Sequence, residues 1–254
     1  MSSRRTWTIT PLHVGTLHRK RRSFLFMAGD DTPLDVPVIM FLLDNGSERV
    51  LVDTGCSDPA TTRDHQPFER PAELYPLTVL AGRGVDPASI GLVLTSHLHW
   101  DHSSGNALFP GAELRVQARE LEYARHPLMW HRESYEVHNL DRDATWALGR
   151  YTTVDGDAEI LPGLQVLLTP GHTPGIQSVL VTTGDGDFVL PSDNVPTYAN
   201  WAGKLPEWTH IPATNHYSLP DYDATFTRLD ELAKAGARLL PSHDFRVLKE
   251  ERYG

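Results

Sequence analysis

The chain has a single cysteine among 254 residues, Cys56, which excludes an internal disulfide and leads us to expect a reducing, cytoplasmic setting. It also lacks a long apolar run. The longest, Val36 to Leu43, is interrupted by Pro37 and falls well short of the roughly 20 residues that cross a bilayer, so no membrane partner is expected. Arg4 and Arg5 are followed by no apolar block, which is not the pattern of a secretory leader. Basic charge is scarce. The chain has 23 Lys and Arg against 33 Asp and Glu, a net charge of -10, which argues against a nucleic-acid binder. The one basic cluster, Arg19-Lys20-Arg21-Arg22, reads as a solvated loop. No repeat with a period of roughly 20–50 residues and no low-complexity linker divides the chain, so one domain over residues 1–254 is expected.

Composition is that of a globular protein, with 40% hydrophobic and 22% charged residues. Short runs rich in Val, Ile and Leu end in turn residues. Val38 to Leu43 and Arg49 to Val52 flank Asp44-Asn45-Gly46-Ser47 and predict a β-hairpin. Ile90 to Thr95, Leu114 to Val116, Leu164 to Thr169, Ser178 to Thr183 and Phe188 to Leu190 read as further strands. Helical spacing is found in Pro71 to Ala81 (broken by Pro76), in Gln117 to Arg125, and most clearly in Asp221 to Ala235, where Gly236 supplies a stop. This mixed order predicts a layered α/β domain with helices outside. Leu128 to Tyr151, rich in Trp, His, Arg and Asp, has no clear period and reads as a loop or helical insertion.

What the chain has in excess is histidine, 13 in all, and several are grouped. The strand ending at Thr95 runs into Ser96-His97-Leu98-His99-Trp100-Asp101-His102. In an extended segment His97 and His99 point to one side, and a following turn can bring Asp101 and His102 round. Three other apolar strands also end in a His or Asp: Pro170-Gly171-His172, Pro191-Ser192-Asp193 and Pro241-Ser242-His243. Metal binding needs such donors converging from rigid supports. No Gly-x-Ser-x-Gly elbow offers a nucleophilic serine instead.

The ordered set Val52-Asp53-Thr54-Gly55, His97-x-His99-x-Asp101-His102, His172, Asp193 and His243 resembles the metallo-β-lactamase superfamily. Within it, Gly171-His172-Thr173-Pro174-Gly175 and Ser242-His243-Asp244 are similar to the N-acyl-homoserine lactonase and pyridoxolactonase group. The resemblance implies a four-layer αβ/βα sandwich with two metals at one edge of two facing sheets. His97, His99 and His172 would hold the first, and Asp101, His102 and His243 the second. Asp193 would bridge both, and Asp53 would orient a ligand. Nitrogen and carboxylate donors suit two Zn²⁺ ions, and Mn²⁺, Fe²⁺ and Co²⁺ accept the same set. The implied reaction opens a lactone, a small-molecule substrate, by attack of a hydroxide shared between the metals, with Asp101 passing a proton to the leaving oxygen. Other esters, thioesters, amides and cyclic imides are alternatives, as is a mononuclear-iron dioxygenase.

Two positions depart from the group's pattern. Pro196 stands where a substrate-contacting tyrosine is usual, with Tyr198 as the candidate replacement, and Ile176 stands where His is common. Trp100 either lines the cleft or pads the sheet edge. Met129, Trp130, Tyr135 and Trp146 form either a wall for a substrate tail or a contact in a homodimer. Trp201, Trp208, His210, His216 and Tyr217 are read as packing residues, and Cys56 as a small buried one.

Overall fold

A computed structural model of the chain describes residues 6–56, 67–136, 144, 146–204 and 206–254. Twelve strands among these form two mixed sheets. The first contains β1 (Thr8–Lys20), β2 (Pro33–Asp44), β3 (Arg49–Val52), β4 (Phe68–Glu69), β5 (Leu92–Leu94), β6 (Glu113–Gln117) and β7 (Tyr151–Val154), in the order β4-β1-β2-β3-β5-β6-β7. The second contains β8 (Ala158–Leu161), β9 (Leu164–Leu168), β10 (Gln177–Thr183), β11 (Gly186–Leu190) and β12 (Arg238–Leu239), in the order β12-β11-β10-β9-β8.

Strand β2 explains the apolar run in the sequence, because it is buried on both faces. Ile39, Phe41 and Leu43 pack with Val50, Val52 and Leu94 against Val166, Val179, Val181 and Phe188 of the second sheet. The alternate residues Val36, Val38, Met40 and Leu42 pack outward with Leu51, Val93, Leu80 and Trp100. A strand covered on both sides needs no polar alternation. On the outer face of the second sheet, Val189 and Leu239 pack against Tyr222, Phe226 and Leu229 of the helix Leu219–Lys234. The layers are therefore helix, sheet, sheet, helix, and the α/β sandwich expected from the sequence is present.

The Asn45-Gly46 hairpin forms as expected. Asp44 Oδ1 accepts from Gly46 N, and Asn45 Oδ1 accepts from Ser47 N and Glu48 N. Pro76 starts a helix, Pro76–Gly82, where the sequence suggested a break; at the first helical position its missing N–H has no partner to lose. Arg19 and Lys20 finish β1, and Arg21 and Arg22 open the short helix Arg21–Phe24, so the basic cluster is not a loop. Of the segment Leu128 to Tyr151, residues 137–143 and 145 lie outside the described residues. No helix among the described residues is long and apolar enough to cross a membrane.

Strand direction positions the site. β3 and β5 pair in parallel, as do β11 and β12, and β9 runs the same way as β11 because both are antiparallel to β10. The C-terminal ends of these strands carry Asp53, His97, His172, Asp193 and His243.

Candidate metal centre

Two strained residues shape the floor of the site. Asp53 has φ 60° and Ser192 has φ 50°, a left-handed conformation that costs a non-glycine residue about 1 kcal/mol or more. At Asp53 the turn aims a carboxylate at the neighbouring strand end. Oδ1 accepts from Ser96 N at 2.7 Å, and Oδ2 accepts from Ser96 Oγ and His102 Nδ1, each at 2.8 Å. At Ser192 the turn sends Oγ to Ser96 Oγ at 2.8 Å. The one-turn helix Trp100–Ser103 brings Asp101 and His102 round towards the cleft, as the sequence spacing suggested.

The seven candidate ligands converge in two adjoining groups. His97, His99 and His172 form one; Asp101, His102, Asp193 and His243 form the other; within each, one ligand atom per residue lies within 4.8 Å of the rest. His99 Nδ1 lies 3.1 Å from His172 Nε2, and His102 Nε2 lies 3.3 Å from His243 Nε2. Asp193 touches both groups. Its Oδ1 is 3.2 Å from His102 Nε2 and 3.2 Å from His243 Nε2, while Oδ2 is 3.5 Å from His172 Nε2. Asp101 Oδ2 is farther out, at 3.7 Å from His243 Nε2 and 3.9 Å from His102 Nε2.

These spacings suit a cation. Ligand atoms about 2.0–2.1 Å from a tetrahedral centre lie about 3.4 Å from one another. His97 Nε2 is buried with no hydrogen-bond partner, which is costly unless something electropositive meets its lone pair. Its other nitrogen, Nδ1, is 3.0 Å from Ser96 Oγ, so the ring orientation is fixed from behind. His243 is held in the same way by its Nδ1 on the Pro37 carbonyl of β2 at 2.8 Å. Asp193 is steadied by Ser242 Oγ, which donates to Oδ1 at 2.8 Å, and by Tyr222 Oη, which donates to the Asp193 carbonyl at 2.9 Å.

The two groups differ electrostatically. Burial lowers His97 and His99 well below the ordinary imidazole range and takes His172 to about 4, so these rings are neutral, ready donors. Burial acts in the same sense on His102 and His243, but the Asp193 carboxylate, helped by Asp101, outweighs it and raises both. Burial would likewise raise Asp193, yet His102 and His243 hold it well below the usual carboxylate range. The second group therefore pairs carboxylates with imidazoles that favour positive charge, whereas the first consists of neutral rings.

A cleft of about 300 Å³ opens onto both groups, walled by Arg19, Phe24, Trp130, Glu133, Ser134 and Asn215. A larger groove, about 1050 Å³, lies near the Asn45-Gly46 hairpin and contains none of the seven. Arg19 in the cleft wall was not legible from its charge run. Its guanidinium reaches back to the carbonyls of His18 and Pro67, at 3.2 Å and 3.1 Å.

Tyr198 does not join the seven. Its hydroxyl donates to the Leu239 carbonyl at 3.1 Å and its ring lies under the Arg246 guanidinium. The reason is local: a capping box between Thr197 and Asn200 starts the helix Tyr198–Ala202, and Asn200 Nδ2 ties that helix to the Phe24 and Ile211 carbonyls. Trp100 both pads and lines, since it is buried edge-on to Phe68 and borders the cleft. Tyr135 and Trp146 are buried with Leu98 and Val116, whereas Met129 and Trp130 are exposed. Trp201 stacks on His210, which stacks on Phe226. Cys56 is buried as a small residue. The residues that spacing did not reveal are Ser96, Ser192, Ser242 and Glu120, most of whose partners are distant in sequence.

Fold and site together define a class: a two-sheet α/β sandwich with a dimetal-type His/Asp site at the C-terminal ends of its strands. The chain belongs to the metallo-beta-lactamase superfamily, whose family model matches residues 34–243. It is 33% identical to N-acyl homoserine lactonase from Bacillus sp over 184 residues, 68% of this chain and 70% of that one. It is 26% identical to N-acyl homoserine lactonase AttM from Azorhizobium caulinodans over 257 residues, 92% of this chain and 91% of that one. Its fold matches, with a TM-score of 0.79 and 25% identity, a solved N-acyl homoserine lactone hydrolase with the product N-hexanoyl-L-homoserine bound at the catalytic metal centre, over 95% of each chain.

Proposed function

We propose that this single-domain chain is a dinuclear metal-dependent hydrolase that opens a lactone ring, an acyl-homoserine lactone or a related cyclic ester, in the cytoplasm. The observation that carries the reading is that Asp193 lies between two separate groups of donors, within 3.5 Å of ring nitrogens from both. His97, His99 and His172 would hold one cation, Asp101, His102 and His243 the other, and Asp193 both, with Zn²⁺ the ion that best suits these donors. When bound, the cation pair supplies Lewis acidity, which activates water for attack and polarises the ester carbonyl.

The chain's own residues do the rest. Asp101 carries a partly exposed carboxylate at the cleft floor, with 13% of its side chain open, which can accept a proton from the attacking water and hand it on to the leaving alkoxide oxygen. Ser96, Asp53, Pro37 and Ser242 keep the donors oriented before substrate arrives. The apolar faces of Phe24 and Trp130 line the cleft and exclude water from one side of a bound substrate. The relatives' names and the product seen in the solved hydrolase support the choice of an acyl-homoserine lactone.

The test is metal content of the purified protein followed by acid release, read with a pH indicator, over acyl-homoserine lactones, aromatic lactones and simple esters. Two divalent ions per chain and acid release from a lactone are expected, with Asp101→Asn reducing kcat by about 100-fold or more. A fully metal-loaded sample that opens no lactone and cleaves no ester would refute the reading.

A further inference from the structure

Glu120 lies in the first turn of the helix Ala118–Arg125, is completely buried, and is not among the seven candidate ligands. A buried carboxylate is costly unless its oxygens are met by donors. Here three donors meet it, two of them from the segments that carry the three-histidine group and the third from a ring packed on one of those histidines. Oε1 accepts from Leu98 N at 3.0 Å and from Tyr135 Oη at 2.7 Å. Oε2 accepts from Thr173 Oγ1 at 2.6 Å. Leu98 stands between His97 and His99, Thr173 directly follows His172, and the Tyr135 ring packs edge-on against His99 with centroids 4.7 Å apart. The approach is so close at Gly175 that a Cβ there would lie 2.2 Å from Glu120 N, so only glycine fits.

The other group takes its support elsewhere. His102 leans on Asp53, His243 on the Pro37 carbonyl, and Asp193 on Ser242 and Tyr222. We propose that Glu120 is the positioning residue of the three-histidine group: one carboxylate sets the distance between the His97–His99 loop and the His172 loop. This rests on the reading of the two groups as metal sites. Glutamine replaces it imperfectly: its carbonyl oxygen can still accept from Leu98 N and Tyr135 Oη, but its NH₂ must donate to a reversed Thr173 hydroxyl and the charge-assisted strength of all three bonds is lost.

The experiment is titration of the metal-stripped full-length protein with Co²⁺, followed by calorimetry and by the visible absorption of the bound ion. The binding phase that His97→Ala abolishes and His243→Ala retains reports the three-histidine group. Glu120→Gln is expected to weaken that phase about tenfold and to leave the other within about twofold. Thr173→Val, which removes one donor of the three at nearly constant volume, is expected to weaken the same phase about threefold; it decides the matter if Glu120→Gln does not fold. Folded variants in which both phases keep the parental affinity, or weaken equally as a merely structural role would require, overturn the proposal while leaving the metal reading intact. A parent that takes up no Co²⁺ overturns both.

Discussion

Asp101 keeps a carboxylate oxygen facing the cleft, whereas the hydroxyl of Tyr198 is committed to a backbone carbonyl behind it. The difference fixes opposite outcomes for substitution. Tyr198→Phe is expected to leave kcat/KM within about twofold and to lower stability by about 1 kcal/mol, the usual net value of one lost hydrogen bond. Steady-state kinetics on whichever lactone is opened, with urea unfolding alongside, checks both; a hundredfold fall in kcat would bring the Tyr198 hydroxyl back into the chemistry. At this scale the seven donors were readable because histidine and aspartate at the ends of apolar strands are an unusual combination. Glu120, Ser96 and Ser242 were not readable. A buried glutamate on an amphipathic helix looks like any exposed one until the chain folds back on it from Leu98 and Thr173, 22 and 53 residues away.

Short elements carry more than their length suggests. Asp244 caps the 3-10 helix Phe245–Lys249 through Arg246 N, pairs with the Arg246 guanidinium, and accepts from Tyr198 N, so it joins the segment after Asp193 to the segment after His243. Burial pushes the Asp244 carboxyl up, but these donors outweigh it and hold it below the ordinary range. With the folded value depressed, the stabilisation is fully present above the ordinary carboxylate pKa of about 3.9 and is lost as pH falls through the folded value. Asp244→Asn should therefore cost about 1–2 kcal/mol at pH 7. The gap from the parent should close when unfolding is measured well below about pH 4, and a gap independent of pH would contradict the assignment.

Element boundaries were legible where capping chemistry is local. The helix Leu219–Lys234 ends one residue before the predicted Ala235, next to the Gly236 stop, whereas its start lies two residues before the predicted Asp221, at Ser218, whose Oγ accepts from Asp221 N. Strand β1 was not legible. Its outward and inward residues include Thr, His, Pro and Arg, and its place is set by pairing with β2 rather than by its own pattern.

For the whole molecule, the two groups unite strand ends from both sheets, so a cation bound there ties the layers together. Stripping divalent ions with a chelator is expected to lower Tm on the order of 10 °C, and adding Zn²⁺ back to restore it, as linkage requires for ions that bind the folded chain at about 1,000 times their Kd. A melting curve indifferent to both treatments would mean that the donors hold no ion that matters to folding. The sandwich itself was foreseeable from the alternation of apolar strands with helices and from the resemblance of the ordered motifs. Of the cleft wall only Trp130 was named, as one of two readings; Arg19 and Asn215 were not foreseeable, because they reach it from unrelated parts of the chain.

The doubly buried strand β2 has one more consequence. Its Pro37 carbonyl fixes His243, and its side chains fill two cores at once, so almost any change along it is felt in both the scaffold and the catalytic floor. Substitutions that change what the cleft accepts at little cost in stability are therefore expected at its wall, where Arg19, Trp130, Glu133 and Asn215 stand, and not along β2.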